Sequence, residues 1–237
     1  MMTRLIDLPR CGMHRLKTQL ALWMLDAQAG LATRTLPKFA NDPKQLKIDL
    51  PRRIINPELI SLGDHVWLGP GCFITAVKEY PSPSLRHPEK HTKVHRFAPR
   101  IRIGARVTSS GNLILGAARQ IDIGDDVLLA FNVTILDNMH GFENPYEPYK
   151  YQALQRIAPV EVGPGCWLGQ NVVILPSVKI GEMSIIGANS VVTADIPARS
   201  IAVGAPARVI KQWDEKAHQW RSCARPDACQ SPIVDAI

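Results

Sequence analysis

No stretch of the 237-residue chain approaches the roughly twenty consecutive apolar residues that a membrane-crossing helix needs. The pattern of a secretory signal is missing too, because the leucine-rich stretch starts late, after Arg15 and Lys17, and carries Asp26. A cytoplasmic protein, or one working at the inner face of the membrane, is the expectation. Cysteine is scarce: five residues with no close pairing, which fits a reducing compartment. Cys72 and Cys166 read as small core residues, and Cys223 and Cys229 lie in a polar tail without a ligand set. The net charge is +7, yet neither the aromatic-basic motif of an RNA-binding module nor a groove-reading basic helix is present. Nucleic acid is therefore not the expected partner; a phosphorylated cofactor or an anionic surface accounts for the excess charge as well.

What the sequence does contain is a period of six. Val162, Leu168, Ile174, Ile180, Ile186 and Val192 form one uninterrupted series, and Leu62, Leu68, Ile74 and Ile123, Leu129, Ile135 form two shorter ones. Six matches neither the helical 3.6 nor simple alternation, and it is the signature of a β-solenoid whose short parallel strands form the faces of a prism. The fifth position of each hexad is small or modestly apolar, as at Val66, Cys72, Val127, Val133, Cys166, Val172, Val178, Ser184 and Ser190. The fourth is rich in Gly, Asn and Asp, residues that tolerate left-handed turns: Gly71, Asp126, Asn132, Gly165, Asn171 and Asn189. Position one should point into the prism, each buried aliphatic contributing roughly 1.5–3 kcal/mol. By analogy with known prisms of this kind, three hexads make a coil of about eighteen residues, and coils need stacking partners and capped ends.

Three segments follow. Residues 1–50 precede the repeat, and Leu16, Leu20, Trp23, Met24, Ala27 and Leu31 fall near one face of a helix. That helix reads either as a cap on the open end of the prism or as a surface-lying membrane anchor. Residues 51–210 are the solenoid, broken by a Pro- and His-rich excursion at 76–99 and a second at 141–159. The repeat returns weakly through Ile101, Ile103, Leu115 and Ile121, with its register slipping by two at Ile123. Residues 211–237 are expected to hold a helix from Lys211 to about Arg221 and then a peripheral tail.

One residue stands out chemically. His140 ends the hexad that begins at Ile135, just before the second excursion, and strand alternation turns it outward. An outward imidazole on a rigid rung suits a general base, but a solvent-exposed loop histidine has the same pattern. Asp137 is read equally as a functional residue, orienting that imidazole or contacting the hydroxyls of a substrate, or as a turn residue, and Asn138 as structural.

The stretch Ile123-Gly-Asp-Asp-Val-Leu-Leu-Ala-Phe-Asn-Val-Thr-Ile-Leu-Asp-Asn-Met-His140 resembles the segment that carries the catalytic histidine in hexapeptide-repeat O-acetyltransferases. These are the galactoside, maltose and nodulation-factor acetyltransferases and the polysaccharide O-acetyltransferases near them. Val162 through Ile210 is similar to the same family, including Ile186-Gly-Ala-Asn-Ser-Val-Val-Thr193 and Gly204-Ala-Pro206-Ala-Arg208. The resemblance covers roughly residues 56–212. It implies a left-handed parallel β-helix, all-β, assembled as a homotrimer with acetyl-CoA between neighbouring prisms. His140 would take the proton of a carbohydrate hydroxyl, on an acceptor that is free or lipid-linked, and transfer would be direct. The backbone N–H of Gly169 or Gln170 would bind the oxyanion. Pantetheine would run past Ala188 and Thr193, and Arg208 and Lys211 would meet the CoA phosphates. Two departures stand out: Ala194 replaces the lysine that many relatives carry after the threonine, and Ser109-Ser-Gly-Asn112 matches the acceptor-binding asparagine region only with a small shift. Asn112, Tyr146, Tyr149 and Arg156 are the candidate acceptor contacts, and Trp167 lies near the thioester channel or simply packs.

Other readings stay open. The same fold serves acyltransferases that act on an antibiotic or on a nucleotide-sugar amine. A γ-carbonic-anhydrase-like metal enzyme would draw on His87, His91 and His95, although these lie in a proline-broken loop and no metal is expected. A non-catalytic prism subunit would leave His140 and the Gly204–Arg208 segment without a purpose.

Overall fold

The computed structural model describes residues 18–20, 24, 27, 30–32, 34–89 and 93–223. Within these the chain winds through three stacked parallel sheets, the walls of a triangular prism. The first wall stacks Lys47–Ile48, Trp67–Leu68, Thr108–Ser109, Leu128–Leu129, Trp167–Leu168, Ile185–Ile186 and Ser200–Gly204. The second stacks Arg52–Ile55, Cys72–Ala76, Ile114–Ala117, Thr134–Leu136, Val173–Ile174 and Val191–Val192. The third stacks Ile60–Leu62, Arg100–Ile103, Gln120–Ile123, Val160–Val162 and Lys179–Ile180.

Position one of each hexad points inward as expected: Leu68, Ile74, Leu129, Ile135, Leu168, Ile174, Ile186 and Val192 are all buried in one continuous core. The fourth position takes a positive φ at Gly71, Asp126, Asn132, Gly165, Asn171 and Asn189, and the same geometry is imposed on Arg106, Ser177 and Met183. At the corner between the first and second walls the asparagines form a ladder. Asn132 donates to Asn171 at 2.9 Å, and Asn171 to Asn189 at 2.9 Å.

The slip in register at Ile123 has a simple origin. In the last coils, strand partners lie eighteen residues apart, as in Glu161↔Lys179 and Val173↔Val191. In the earlier coils they lie twenty apart, as in Arg100↔Gln120 and Thr108↔Leu128. The extra two residues lie at the end of the second wall, where Cys72–Ala76 and Ile114–Ala117 run on past Ile74 and Leu115 and bury Ala76 and Ala117, whereas Val173–Ile174 stops at Ile174; the third wall buries two side chains in both kinds of coil.

Three boundaries differ from the sequence reading. The solenoid begins at Lys47–Ile48 rather than at 51, since Ile48 sits over Leu68 in the first wall. The C-terminal helix expected from Lys211 is an antiparallel extension instead. Ala207–Asp214 folds back on Ser200–Gly204, and Gln219–Ser222 folds back on it in turn. The free edge of the first wall offers backbone bonding that a helix would forgo, and Trp213 and Trp220 meet edge to face across the hairpin at 5.5 Å. The third difference concerns the N-terminal cap. Residues 18–20, 24, 27, 30–32 and 34 are helical, but Leu20, Met24 and Leu31 are exposed; Leu16 and Trp23 lie outside the described residues. The prism end is covered by the segment that follows. Phe39 is buried in the core, Ala40 N–H donates to the Ile60 carbonyl, and Asn41 exchanges two hydrogen bonds with the Leu62 backbone. An extended chain can pair with the open edge of the third wall; a helix, whose backbone groups are internally bonded, cannot. Among the described residues, no helix is long and apolar enough to cross a membrane.

Candidate active site

Both excursions leave the prism at the same corner, between the second and third walls. One follows Cys72–Ala76 and the other Thr134–Leu136. The coil between them turns that corner tightly, with only Ala118 and Arg119 between Ile114–Ala117 and Gln120–Ile123. Two coil spacings separate the excursions, about 10 Å along the axis, so the two loops can pack on each other.

Asp137 builds this corner. Its carboxylate is fully buried and accepts three backbone N–H groups of the coil below: Ala118 at 2.7 Å, Arg119 at 2.7 Å and Gln120 at 2.6 Å. Asn138 adds a fourth bond at 2.8 Å and also donates to the Gly116 carbonyl. Asp137 therefore does not orient His140, as one sequence reading had it. Its two oxygens are taken up by the turn, which is the alternative reading, and Asn138 is structural as expected.

Three residues on, Met139–His140 forms a short antiparallel ribbon with Leu154–Gln155. His140 is exposed, and its Nδ1 lies 2.9 Å from the hydroxyl of Tyr80. Tyr80 comes from the first excursion, where Glu79–Tyr80 pairs with His95–Arg96. Its ring is 5 % exposed, and burial raises the phenol's pKa, which keeps it protonated. The same hydroxyl donates to the Lys150 carbonyl of the second excursion at 2.8 Å, and His87 packs on Tyr151 with ring centroids 5.0 Å apart. Sequence reasoning missed Tyr80 because its partners lie sixty and seventy residues away and no periodicity links them.

The other candidates are distributed around the prism. Thr193 follows Val191–Val192 at the His140 corner, two coils further on; its Oγ1 is buried and has no partner among the described residues. Gly169, Gln170 and Ala188 sit at a different corner, between the first and second walls, with Asn112 lower in the same column. The Gly169 N–H already donates to the Ile186 carbonyl at 2.8 Å, which removes it as an oxyanion donor, whereas the Gln170 N–H has no acceptor among the described residues. Asn112 lies over Gly71, with a positive φ, on a corner that His140 does not share. Arg208 and Lys211 lie on the antiparallel extension. Tyr146 and Tyr149 are exposed on the second excursion, and Arg156 directly follows the strand that pairs with His140. Trp167 stands outside the first wall in register with Leu128, in a column that runs from Lys47 through the exposed Trp67 and the half-buried Thr108. His95 lies on the Tyr80 hairpin, His87 on Tyr151, and His91 lies outside the described residues. Among the described residues, no three potential ligands converge on a metal site.

The bacterial transferase hexapeptide (six repeats) model matches residues 159–194. A galactoside O-acetyltransferase of Escherichia coli is 28% identical over 78% of this chain and 80% of its own length. Along its repeat the chain is similar to the hexapeptide-repeat acyltransferases. A probable acetyltransferase of Mycobacterium tuberculosis is 32% identical over 70% of this chain, which spans 57% of that relative. Among solved structures, an N-acyltransferase from Bacillus cereus in complex with dTDP and 3-hydroxybutyryl-CoA superposes with a TM-score of 0.59 at 22% identity, covering 76% of this chain and 86% of that one. The fold is thus the left-handed parallel β-helix.

Proposed function

We propose that the chain is an acetyl-CoA-dependent O-acetyltransferase acting on a sugar hydroxyl, in the synthesis of a surface polysaccharide or its lipid-linked precursor. The observation that carries the reading is His140: an exposed imidazole, tethered through Nδ1, on a corner fixed by a buried carboxylate. Nε2 accepts the proton of the acceptor hydroxyl as that oxygen attacks the thioester carbonyl. The Gln170 N–H stabilises the oxyanion. The carbon–sulfur bond then breaks, and the departing thiolate takes the proton back from Nε2. No acetyl-enzyme forms.

The same reading makes the enzyme a homotrimer. His140 and Thr193 line one corner of the prism and Gln170 and Ala188 another, so a donor touching both sets lies between two copies. The exposed column of Trp67, Leu128 and Trp167 suits a face covered by a neighbour. Arg208 and Lys211 meet the CoA phosphates, and Tyr146 and Arg156 flank the acceptor. The exposed Leu20, Met24 and Leu31 suit peripheral contact with the inner face of the membrane, which would bring the enzyme to a lipid-linked acceptor on the cytoplasmic side.

The test follows thiol release from acetyl-CoA across free sugars, nucleotide sugars and oligosaccharides, with His140→Ala as the blank. The substitution is expected to lower transfer by about 10²–10⁴ and to leave CoA affinity within about threefold. Sedimentation of the same preparation should give the mass of three 26.2 kDa chains. Transfer that survives His140→Ala, or acetylation of amines alone, would refute the reading.

A further inference from the structure

We propose that Tyr80 is a positioning residue that fixes the tautomer of His140, placing the proton on Nδ1 and leaving Nε2 as the acceptor. This rests on the reading of His140 as the base. The argument is a count of protons. The Tyr80 hydroxyl oxygen lies 2.8 Å from the Lys150 carbonyl oxygen and 2.9 Å from His140 Nδ1. A carbonyl cannot donate, so the short oxygen–oxygen approach is a bond only if the single phenolic proton lies between the two. The hydroxyl then has only a lone pair to offer Nδ1, and Nδ1 must carry a hydrogen to bond with it. A neutral imidazole has one N–H, so Nε2 holds the free lone pair.

The preference matters because a neutral imidazole in water favours the opposite tautomer, with its proton on Nε2, which cannot accept from an acceptor hydroxyl. Tyr80 reverses that preference with a hydroxyl held from three sides. Its ring is buried, its backbone is paired to His95 in a two-stranded ribbon, and its proton is anchored on a backbone carbonyl that no side-chain replacement can remove. The rings of Tyr80 and His140 meet at 67° with centroids 5.4 Å apart, an edge contact that also fixes the plane of the imidazole. When Nε2 takes a proton during the reaction, the bond from Nδ1 to Tyr80 becomes charge-assisted and strengthens. The phenol keeps its own proton throughout. The excursion at 76–99 thereby acquires a purpose, since it delivers a hydroxyl to a base carried by another loop.

The experiment uses full-length protein with ¹⁵N-labelled histidine, at a pH where the imidazoles are neutral. The His140 signals are assigned by their loss in His140→Ala. In the wild type the expected pattern is a protonated Nδ1 and a bare Nε2. In Tyr80→Phe, which keeps the ring, the proton should move predominantly to Nε2. The same variant should lose about 10–100-fold in kcat, the worth of a hydrogen bond to a charged group, with KM for acetyl-CoA changed by less than about threefold. A wild-type spectrum with the proton on Nε2, or one that Tyr80→Phe leaves unchanged, would overturn the proposal whatever the activity, and needs no folded variant in the first case. Should the wild type display Nδ1–H but acetylate no sugar, the tautomer assignment stands and the proposed reaction falls.

Discussion

Replacing Asp137 with Asn changes one oxygen to an NH₂ group and tests how the corner that carries His140 is held. The carboxylate receives Ala118 N–H and the Asn138 amide on one oxygen, and Arg119 and Gln120 N–H on the other. An amide can keep only one of these pairs. If its oxygen serves Arg119 and Gln120, its NH₂ group faces two donors, and the Ala118 N–H is buried without a partner. Hydrogen bonds to a charged group are worth about 1.5–3 kcal/mol each, so the loss of two costs about 3–6 kcal/mol. For a chain of this length each kcal/mol lowers the melting midpoint by about 2–4 °C, which gives an expected fall of about 6–24 °C. The assay is thermal unfolding at fixed protein concentration, run beside the steady-state kinetics. An unchanged midpoint would refute the structural role. If transfer were lost at the same time, the older idea of Asp137 as the partner of His140 would return.

Two further outcomes follow from other buried groups. Burial pushes the thiols of Cys72 and Cys166 up to about 11 from an ordinary value of 9.0. Their neutral form is favoured in the fold, so stability is fully present below pH 9 and is lost as pH rises towards 11, by up to about 3 kcal/mol per thiol. Denaturation midpoints measured from pH 8 to 11 should fall less steeply in the Cys72→Ala/Cys166→Ala double variant, and parallel curves would contradict this. Thr193→Val removes a buried hydroxyl that has no partner among the described residues. The free protein should be as stable as the wild type or more so by up to about 1 kcal/mol, while KM for acetyl-CoA rises several-fold if pantetheine is the missing partner; calorimetry and initial rates read the two effects separately.

The prism was legible because its constraint is local and repeated: every sixth side chain meets the core, and every fourth position needs a tolerant backbone. The start at Ile48 was equally available, since Ile48, Ile54 and Ile60 recur at six. The register slip was visible as a number, but its cause, two extra residues per coil taken up by one wall, needed the pairing. The helix expected at Lys211–Arg221 failed because Val209, Ile210 and Trp213 answer to an open sheet edge that lies outside any local window. At the site, His140 could be singled out from its place beside an excursion. Asp137 could not be assigned, because its partners are backbone amides of the coil below. Tyr80 was invisible, since the contact joins two irregular loops through the turn count of the solenoid.

Because both excursions grow from one column of turns, their lengths can change without altering the spacing of any rung. The spool and the tools mounted on it are separable. On the proposed function, exchanging the 141–159 segment for one of different length should redirect acceptor choice and leave acetyl-CoA affinity unchanged, provided that the newcomer still presents a main-chain oxygen to Tyr80. Diversification of such an enzyme would then proceed at its edges, one ornament at a time, on a frame that need not be rebuilt.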